Sequence, residues 1–229
     1  MGRPEGMIER YEILTAHAFH NVDELPGRLL VFPLSGAVLF PRWTLPLNIF
    51  EPRYLNMIDD AMASDRLIGM VQTVGGDPVS PELANVGCVG RITSFSETDD
   101  GRYLISLSGV CRFVLEDELD VTTPYRQVKP LWSPYGDDLK EPSEDILSDR
   151  SSLVLALKRY TARNEMDVDW SAVETAPIET LINALCAGCP FSVMEKQALI
   201  EARDLSHRCQ TLITLLDIDA SGDDRSTLQ

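Results

Sequence analysis

The alternation of apolar and polar positions divides this chain into a β-rich first part and a helical second part. Residues 29–54 hold three closely spaced apolar runs of strand type, at 29–34, 37–40 and 45–50. They are punctuated by Pro33, Pro41, Pro46 and Pro52. Because proline fixes φ and lacks a backbone N–H, prolines at this density favour short, bent strands. The stretch therefore predicts the opening of a small β-barrel rather than a flat sheet.

The strand pattern continues to Trp132 and is interrupted by one helix. Pro52 stands where a first helical turn begins, and apolar residues then recur at helical spacing as far as Met62. Further strand-type runs lie at 67–74, 86–98, 103–107, 110–115 and 125–132, with Asp99-Asp100-Gly101 as a hairpin turn and 75–85 as turn and loop. The expected fold class is α+β, with a β pseudo-barrel of six or seven short strands and one inserted helix over residues 28–132.

The pattern changes after Trp132. Residues 133–142 are rich in proline, glycine and charge, which predicts a linker. Residues 143–219 are expected to form a bundle of about four helices. One opens after Pro177, a Ser192/Glu195 capping box starts another, and Ser206 is a candidate cap for the last. Residues 1–27 are expected to be a loosely held, partly disordered leader, and residues 220–229 a polar tail.

Composition and charge narrow the class of partner. The 229 residues are 44% hydrophobic and 24% charged, as in ordinary globular proteins. The formal net charge of −16 disfavours nucleic acid and anionic membranes, because phosphate binding needs concentrated Lys and Arg. The sequence shows no secretory signal and no apolar run long enough to span a membrane, and its five cysteines fit reduced thiols. The expected location is therefore the cytoplasm.

Cys186-Ala187-Gly188-Cys189 is the one apparent catalytic motif. A redox C-x-x-C normally begins a helix, where the helix dipole lowers the thiol pKa, but this one ends a predicted helix. We favour a structural interpretation with Gly188 just beyond the helix, over a thiol enzyme that uses Cys186 and Cys189. The sequence has no P-loop, nucleophile motif or metal-ligand spacing, so no catalytic residue, metal ligand or cofactor is assigned.

Arg42 and Trp43 are the candidate binding residues. They follow Pro41 at a turn between apolar runs, and loop aromatics beside an arginine are favoured contact residues in interfaces. The alternative is that Trp43 packs over the end of the barrel.

The opening stretch resembles the N-terminal substrate-binding domain of Lon proteases, which is also seen in cereblon. The family's run, F-P-L-x-x-x-V-L-F-P-G-x-x-L-P-L-x-I-F-E-P-R-Y, is matched in order and spacing from Phe32 to Tyr54, except that Arg42 replaces the usual glycine. Residues 86–92, 100–102 and 109–113 resemble the family's second half. The resemblance implies a PUA-like pseudo-barrel followed by helices, as in stand-alone bacterial members that lack the ATPase and protease domains.

The same resemblance implies a non-catalytic, ATP-independent module that binds a polypeptide or protein partner, with an adaptor role. We expect a monomer or weak homodimer that binds neither nucleic acid nor membrane. A small-ligand-binding barrel is the alternative.

Overall fold

The computed structural model describes residues 19–77, 80–140 and 150–221. Its strands are β1 (Leu29–Pro33), β2 (Thr44–Ile49), β3 (Leu67–Val71), β4 (Thr73–Asp77), β5 (Ser80–Leu83), β6 (Val86–Glu97), β7 (Tyr103–Glu118) and β8 (Gln127–Leu131). The helix α1 (Pro52–Met62) lies between β2 and β3 and begins with Pro52 at its first turn, as expected.

Six of these strands form one mixed sheet in the order β2-β7-β6-β3-β1-β8. An additional pairing between β7 and β8 closes the ring of β7, β6, β3, β1 and β8, while β4 and β5 form a separate hairpin. Strand β7 is long enough to pair with β2 along 103–108 and with β8 along 114–118. The predicted α+β class and PUA-like pseudo-barrel are confirmed, and β2 is the edge strand.

Several strand assignments differ from the sequence-based ones. Residues 37–40 form no strand, although Leu39 and Phe40 are fully buried. Gly109 does not divide two strands, because β7 runs through it. A Cβ on Gly109 would stand 1.9 Å from the Phe40 carbonyl oxygen, so the glycine makes room for the 37–40 segment. Residues 75–85, expected as turn and loop, contain most of the β4–β5 hairpin.

The second part is helical, with α2 (Arg150–Arg163), α3 (Trp170–Thr175), α4 (Ile178–Gly188), α5 (Val193–Glu201) and α6 (Leu205–Ser221). The Ser192/Glu195 capping box is confirmed. The short helix α3, capped by Asp169, was not expected from the sequence. The cap of α6 is Asp204 and not Ser206, since the Asp204 carboxylate accepts the His207 backbone N–H at 2.8 Å.

The segments expected to be loosely held are partly packed. Ser133–Leu139 forms a 3-10 helix with Tyr135 and Asp138 buried, so the linker prediction is wrong there. The physical reason is that Asp138 is the counter-ion of a buried arginine, Arg112. Before β1, Leu25 is buried and Pro26 accepts a hydrogen bond from the Trp132 ring at 3.0 Å. Residues 1–18, 78–79, 141–149 and 222–229, with the expectations placed on them, lie outside the described residues.

A hydrogen-bonded seam joins the barrel to the helices. The Gln72 amide donates to the Gln197 side chain and to the Val193 carbonyl, both at 3.0 Å. Gln197 in turn donates to the Val86 carbonyl of β6 at 3.1 Å. Because such bonds require definite geometry, the seam fixes how α5 sits on the barrel.

Candidate functional site

A cleft of about 560 Å³ opens beside β2, and we call it the β2 cleft. Its walls come from the end of β1, from β2, from the start of α1, from the β4–β5 hairpin and from the segment before β8. The lining residues are Phe32, Pro33, Leu34, Pro46, Leu47, Asn48, Phe50, Glu51, Arg53, Tyr54, Thr73, Ser80, Pro81, Glu118, Pro124, Tyr125 and Arg126.

The cleft lies along the free edge of β2. It contains Pro46, Leu47 and Asn48 but none of the β7 residues at 103–108 that pair with β2, so it is on the side of β2 away from β7. Among the described residues no strand pairs with that edge.

The direction of the β2 backbone groups follows from the ladder. Gly109 N–H donates to the Trp43 carbonyl at 2.8 Å, and antiparallel ladder bonds recur at every second residue. The backbone groups of Leu45, Leu47 and Ile49 therefore face β7, and those of the alternate residues, 44, 46 and 48, face outward. Pro46 has no N–H at its outward position, which limits indiscriminate pairing of this edge.

The floor of the cleft is aromatic. Phe32 and Tyr54 are both buried and meet edge to face, with ring centroids 4.4 Å apart. Phe50, by contrast, is 62% exposed, the second most exposed of the large apolar side chains after Met194. It follows the buried Ile49 at the end of β2, so strand alternation turns it outward toward the mouth of the cleft.

The charged side chains of the cleft are paired. Arg53 bonds Glu51 at 2.9 Å, and Arg126 bonds Glu118 through two guanidinium nitrogens at 2.6 and 2.5 Å. Burial and the hydrogen bond to Asp60 raise the pKa of Tyr125 to about 12, and burial raises the pKa of Tyr54. Both phenols stay protonated at neutral pH, so the cleft combines proline and aromatic walls with neutral hydroxyl groups and charges that are paired with one another.

Arg42 lies away from this cleft, where the barrel meets the helices. Its guanidinium makes two bonds to the Glu179 carboxylate of α4, at 2.6 and 2.8 Å, and one to the Asp138 carbonyl at 2.5 Å. Its backbone φ is +59°, the left-handed region that favours glycine. Glycine, which the family run quoted above has at this position, adopts this φ without strain.

Trp43, the second candidate binding residue, is half-buried and packs against the core. Its backbone N–H donates to the Phe40 carbonyl at 3.1 Å. The two candidates thus have different surroundings, since Arg42 lines a cavity at the junction with the helices and Trp43 does not.

Cys186 and Cys189 are buried at the end of α4. Burial raises the pKa of Cys186 to about 12 and that of Cys189 to about 11, so both thiols are protonated at neutral pH. Only the thiolate is strongly nucleophilic, so this geometry supports the structural interpretation. Gly188 is the last residue of α4 rather than the residue beyond it.

The described residues hold neither a metal-ligand cluster nor a helix that could span a membrane. Across 19–77, 80–140 and 150–221 no three His, Cys, Asp or Glu side chains are grouped closely enough to hold a metal ion. Over those same ranges no helix has the length and apolarity that crossing a membrane requires.

Comparison with known proteins agrees with this architecture. The sequence model of the ATP-dependent protease La (LON) substrate-binding domain matches residues 28–217, most of the chain. The chain belongs to the Lon substrate-binding domain family. The match begins one residue before β1 and ends within α6, so the LON domain of this chain includes the barrel and the helices.

Relatives of the LON domain include much longer proteins. The chain is 25% identical to the Lon protease of Flavobacterium johnsoniae over 204 residues, covering 87% of this chain and 25% of that protein. It is 27% identical to the Lon protease of Parabacteroides distasonis over 202 residues, covering 86% and 24%. The chain thus spans about a quarter of the length of these curated relatives.

Solved structures show the same fold. The Lon N-terminal domain protein from Xanthomonas campestris superposes with a TM-score of 0.58 at 22% identity, covering 82% of this chain and 97% of that one. The N-terminal domain of Mycobacterium avium complex Lon protease gives 0.62 at 15% identity, covering 83% and 98%.

Sequence reasoning located the stretch that forms the cleft but not the cleft itself. The run from Phe32 to Tyr54 predicts the opening of the barrel, and its Phe50, Glu51, Arg53 and Tyr54 also line the β2 cleft. A signal was present, because a phenylalanine immediately after a buried strand residue points to the opposite face.

Proposed function

We propose that this LON domain is a non-catalytic module that binds an apolar polypeptide segment in the β2 cleft. The observation that carries the proposal is the cleft itself, a groove with proline and aromatic walls along a strand edge that no described strand pairs with, in a domain of the Lon substrate-binding family. Binding needs no nucleotide, and the domain acts as an adaptor that presents the bound segment.

The cleft matches the chemistry of such a segment. Its proline and aromatic walls suit apolar side chains, and its paired Arg and Glu residues leave no net charge to select a strongly charged peptide. The outward N–H groups of Thr44 and Asn48, with the carbonyls of 44, 46 and 48, can bond the backbone of an extended chain. Such strand addition supplies affinity that does not depend on side-chain sequence.

The contribution of the apolar wall can be tested at Phe50. We expect Phe50→Ala to weaken binding of an unfolded, apolar peptide at least about fivefold, because central aromatic contacts carry much of the energy of an interface. Fluorescence anisotropy with a labelled peptide measures the affinity. Met194→Ala is the matched control, since Met194 is 68% exposed on α5 and does not line the cleft. Equal losses in both variants, or none in Phe50→Ala, would contradict the proposed location.

The strand-addition mode can be tested separately at Asn48. Asn48→Pro removes the outward N–H while leaving the ladder to β7, whereas Asn48→Ala removes only the side chain. We expect the proline variant to bind the peptide several-fold more weakly and the alanine variant to bind like wild type. If both bind like wild type, the segment does not add to β2.

The same peptide-binding assay distinguishes the β2 cleft from a second possible contact site, Arg42 and Trp43. Trp43→Ala lowers affinity if the partner contacts that second site, whereas Phe50→Ala does not. The cytoplasmic location, the absence of nucleic-acid binding and the monomeric or weakly dimeric state also remain proposals; the free cysteines support the first and the net charge of −16 supports the second.

A small organic ligand in the same cleft is the alternative function. A volume of about 560 Å³ lies within the range of small-molecule sites, about 300–1,000 Å³. A thermal-shift screen with metabolites and nucleotides tests it. A compound that stabilises the wild type but not the Phe50→Ala variant would favour this alternative. If no compound stabilises the protein and the peptide binds, the polypeptide is favoured.

A further inference from the structure

A second cavity, of about 300 Å³, lies where the 3-10 helix, β7 and the helical part meet. We call it the Arg208 cavity. Its cationic lining residues are Arg42, Arg112, Lys140, Arg203 and Arg208. Its acidic lining residues are Asp137, Asp138, Glu179 and Asp204. The remaining lining residues, which carry no charge, are Pro41, Pro134, Tyr135 and Leu205.

Each carboxylate of this cavity already has a cation. Arg42 pairs with Glu179 at 2.6 Å and Arg112 with Asp138 at 2.8 Å. Lys140 pairs with Asp137 at 2.7 Å and Arg203 with Asp204 at 3.1 Å. Arg208 is the remaining cation, and no described carboxylate lies within ion-pair distance of it.

Arg208 is also deeply buried, with 2% of its surface exposed. Its Nε donates to the Leu199 carbonyl at 3.2 Å and its Nη1 to the Asn183 side chain at 3.0 Å. Its guanidinium lies 4.6 Å over the Phe40 ring. Among the described residues its Nη2 has no acceptor.

Arg208 is nonetheless one of the residues that line this cavity. A buried cation that has no counter-ion carries a large desolvation cost, which an anion in contact with it would offset.

We propose that the Arg208 cavity binds a small oxyanion, a phosphate or a carboxylate group, that accepts hydrogen bonds from Nη2 of Arg208. Because the lining has one more cationic side chain than carboxylates, we expect the ligand to be negatively charged. Guanidinium groups present planar N–H donors that match phosphate and carboxylate oxygens, which sets its chemistry. The function is distinct from polypeptide binding in the β2 cleft, and the two cavities share no lining residue.

Two further features favour the same ligand. The first residue of α6, Leu205, lines the cavity, so the start of that helix is close by, although the Asp204 carboxylate already accepts its His207 N–H. Burial, followed by the charge of Arg112, lowers the pKa of Arg208 to about 10, because the charge of Asp138 opposes these two effects only in part.

Titration of the whole chain with sodium phosphate, replacing chloride at constant ionic strength, tests the proposal. We expect saturable binding by calorimetry, at least about tenfold weaker in Arg208→Gln and unchanged in Arg159→Gln. Arg159 is a matched control because it forms an exposed ion pair with Asp217 on the α2–α6 surface. A second arm uses a tetrapeptide with a free C-terminal carboxylate and its amide, and binding of the carboxylate form alone identifies a chain terminus as the source of the oxyanion.

A measurement on the wild type covers the case in which Arg208→Gln does not fold. The side-chain nitrogen signals of Arg208, observed by NMR, are expected to shift and saturate with phosphate or with the carboxylate peptide, while those of Arg159 do not. Absence of a saturable Arg208 shift with both probes, or phosphate affinity that is the same in Arg208→Gln, would overturn the proposal.

Discussion

Arg42 shows how one side chain can replace a glycine at a backbone position that favours glycine. Its φ of +59° costs a residue with a Cβ about 1 kcal/mol or more relative to glycine. The bonds from its guanidinium to Glu179 and to the Asp138 carbonyl offset that cost by joining the barrel to α4 and to the 3-10 helix.

Substitutions at Arg42 separate these two contributions. Arg42→Ala keeps the unfavourable φ and loses the guanidinium bonds, so we expect it to lower the free energy of unfolding by about 2 kcal/mol. Arg42→Gly loses the same bonds but relieves the backbone, and is expected to be about 1 kcal/mol more stable than Arg42→Ala. Urea unfolding measures both. At Arg53, in the first turn of α1, the order should reverse, with the alanine variant more stable than the glycine variant.

Gly109 is required for a different reason, the close approach of the 37–40 segment. We expect Gly109→Ala to destabilise the fold by about 3 kcal/mol, because its Cβ would stand 1.9 Å from the Phe40 carbonyl oxygen. Gly27→Ala is the control, since nothing lies within 4 Å of a Cβ there. Thermal unfolding should show a large fall in Tm for the first variant and little change for the second. A similar Tm for the two variants would mean that the segment moves aside easily.

At the scale of elements, α6 begins with a side-chain cap, Asp204, that bonds its sequence neighbours. Burial alone would raise the pKa of Asp204, but hydrogen bonds from the backbone and ring of His207 and from Arg203 lower it to about 2. A carboxyl group whose pKa is lower in the folded state stabilises above its unfolded pKa, near 4, and loses that contribution as the pH falls through 2.

The cap can be checked by its pH dependence. We expect Asp204→Ala to lower the free energy of unfolding by about 1 kcal/mol at pH 7 and by progressively less between pH 4 and pH 2. Urea titrations at several pH values measure the difference from wild type. Ser206→Ala, at the position that the sequence favoured as the cap, should have little effect at any pH. A loss that does not change with pH would show that Asp204 acts through packing instead.

At the scale of the whole molecule, buried charges hold the two parts of the chain together. Arg112 of β7 is 2% exposed and bonds the Asp138 carboxylate through two nitrogens at 2.8 Å. Its remaining donors reach the carbonyls of Ile200 and Ala202, at the end of α5. One arginine therefore ties the barrel, the 3-10 helix and the helical part into a single unit.

Removal of the Asp138 charge tests this arrangement. Asp138→Asn leaves Arg112 buried without a counter-ion, and we expect a loss of about 3–5 kcal/mol. Asp217→Asn, which breaks the exposed pair with Arg159, should cost less than about 1 kcal/mol. Urea unfolding gives both values, and hydrogen exchange should show early loss of protection in α5 and α6 for Asp138→Asn. Equal costs for the two substitutions would mean that the buried pair does not hold the parts together.

The amino-acid sequence by itself determined the local features and the family. Proline spacing, the Pro52 helix start and the Ser192/Glu195 capping box depend on neighbouring residues, and their geometry follows from short-range sterics and hydrogen bonds. The turn at Gly101, with φ of +78°, is of the same kind. The order of apolar and proline residues from Phe32 to Tyr54 was specific enough to indicate the α+β pseudo-barrel.

Only the tertiary structure decided which polar residues become partners. Arg112 and Asp138 are 26 residues apart and Arg42 and Glu179 are 137 apart, so no periodicity could relate them. For the same reason the segment 133–139 has the composition of a linker and yet packs as a 3-10 helix, because it supplies the counter-ion of Arg112. The β2 cleft and the Arg208 cavity likewise form where distant segments meet, since a cavity is a property of how elements pack and not of any one of them.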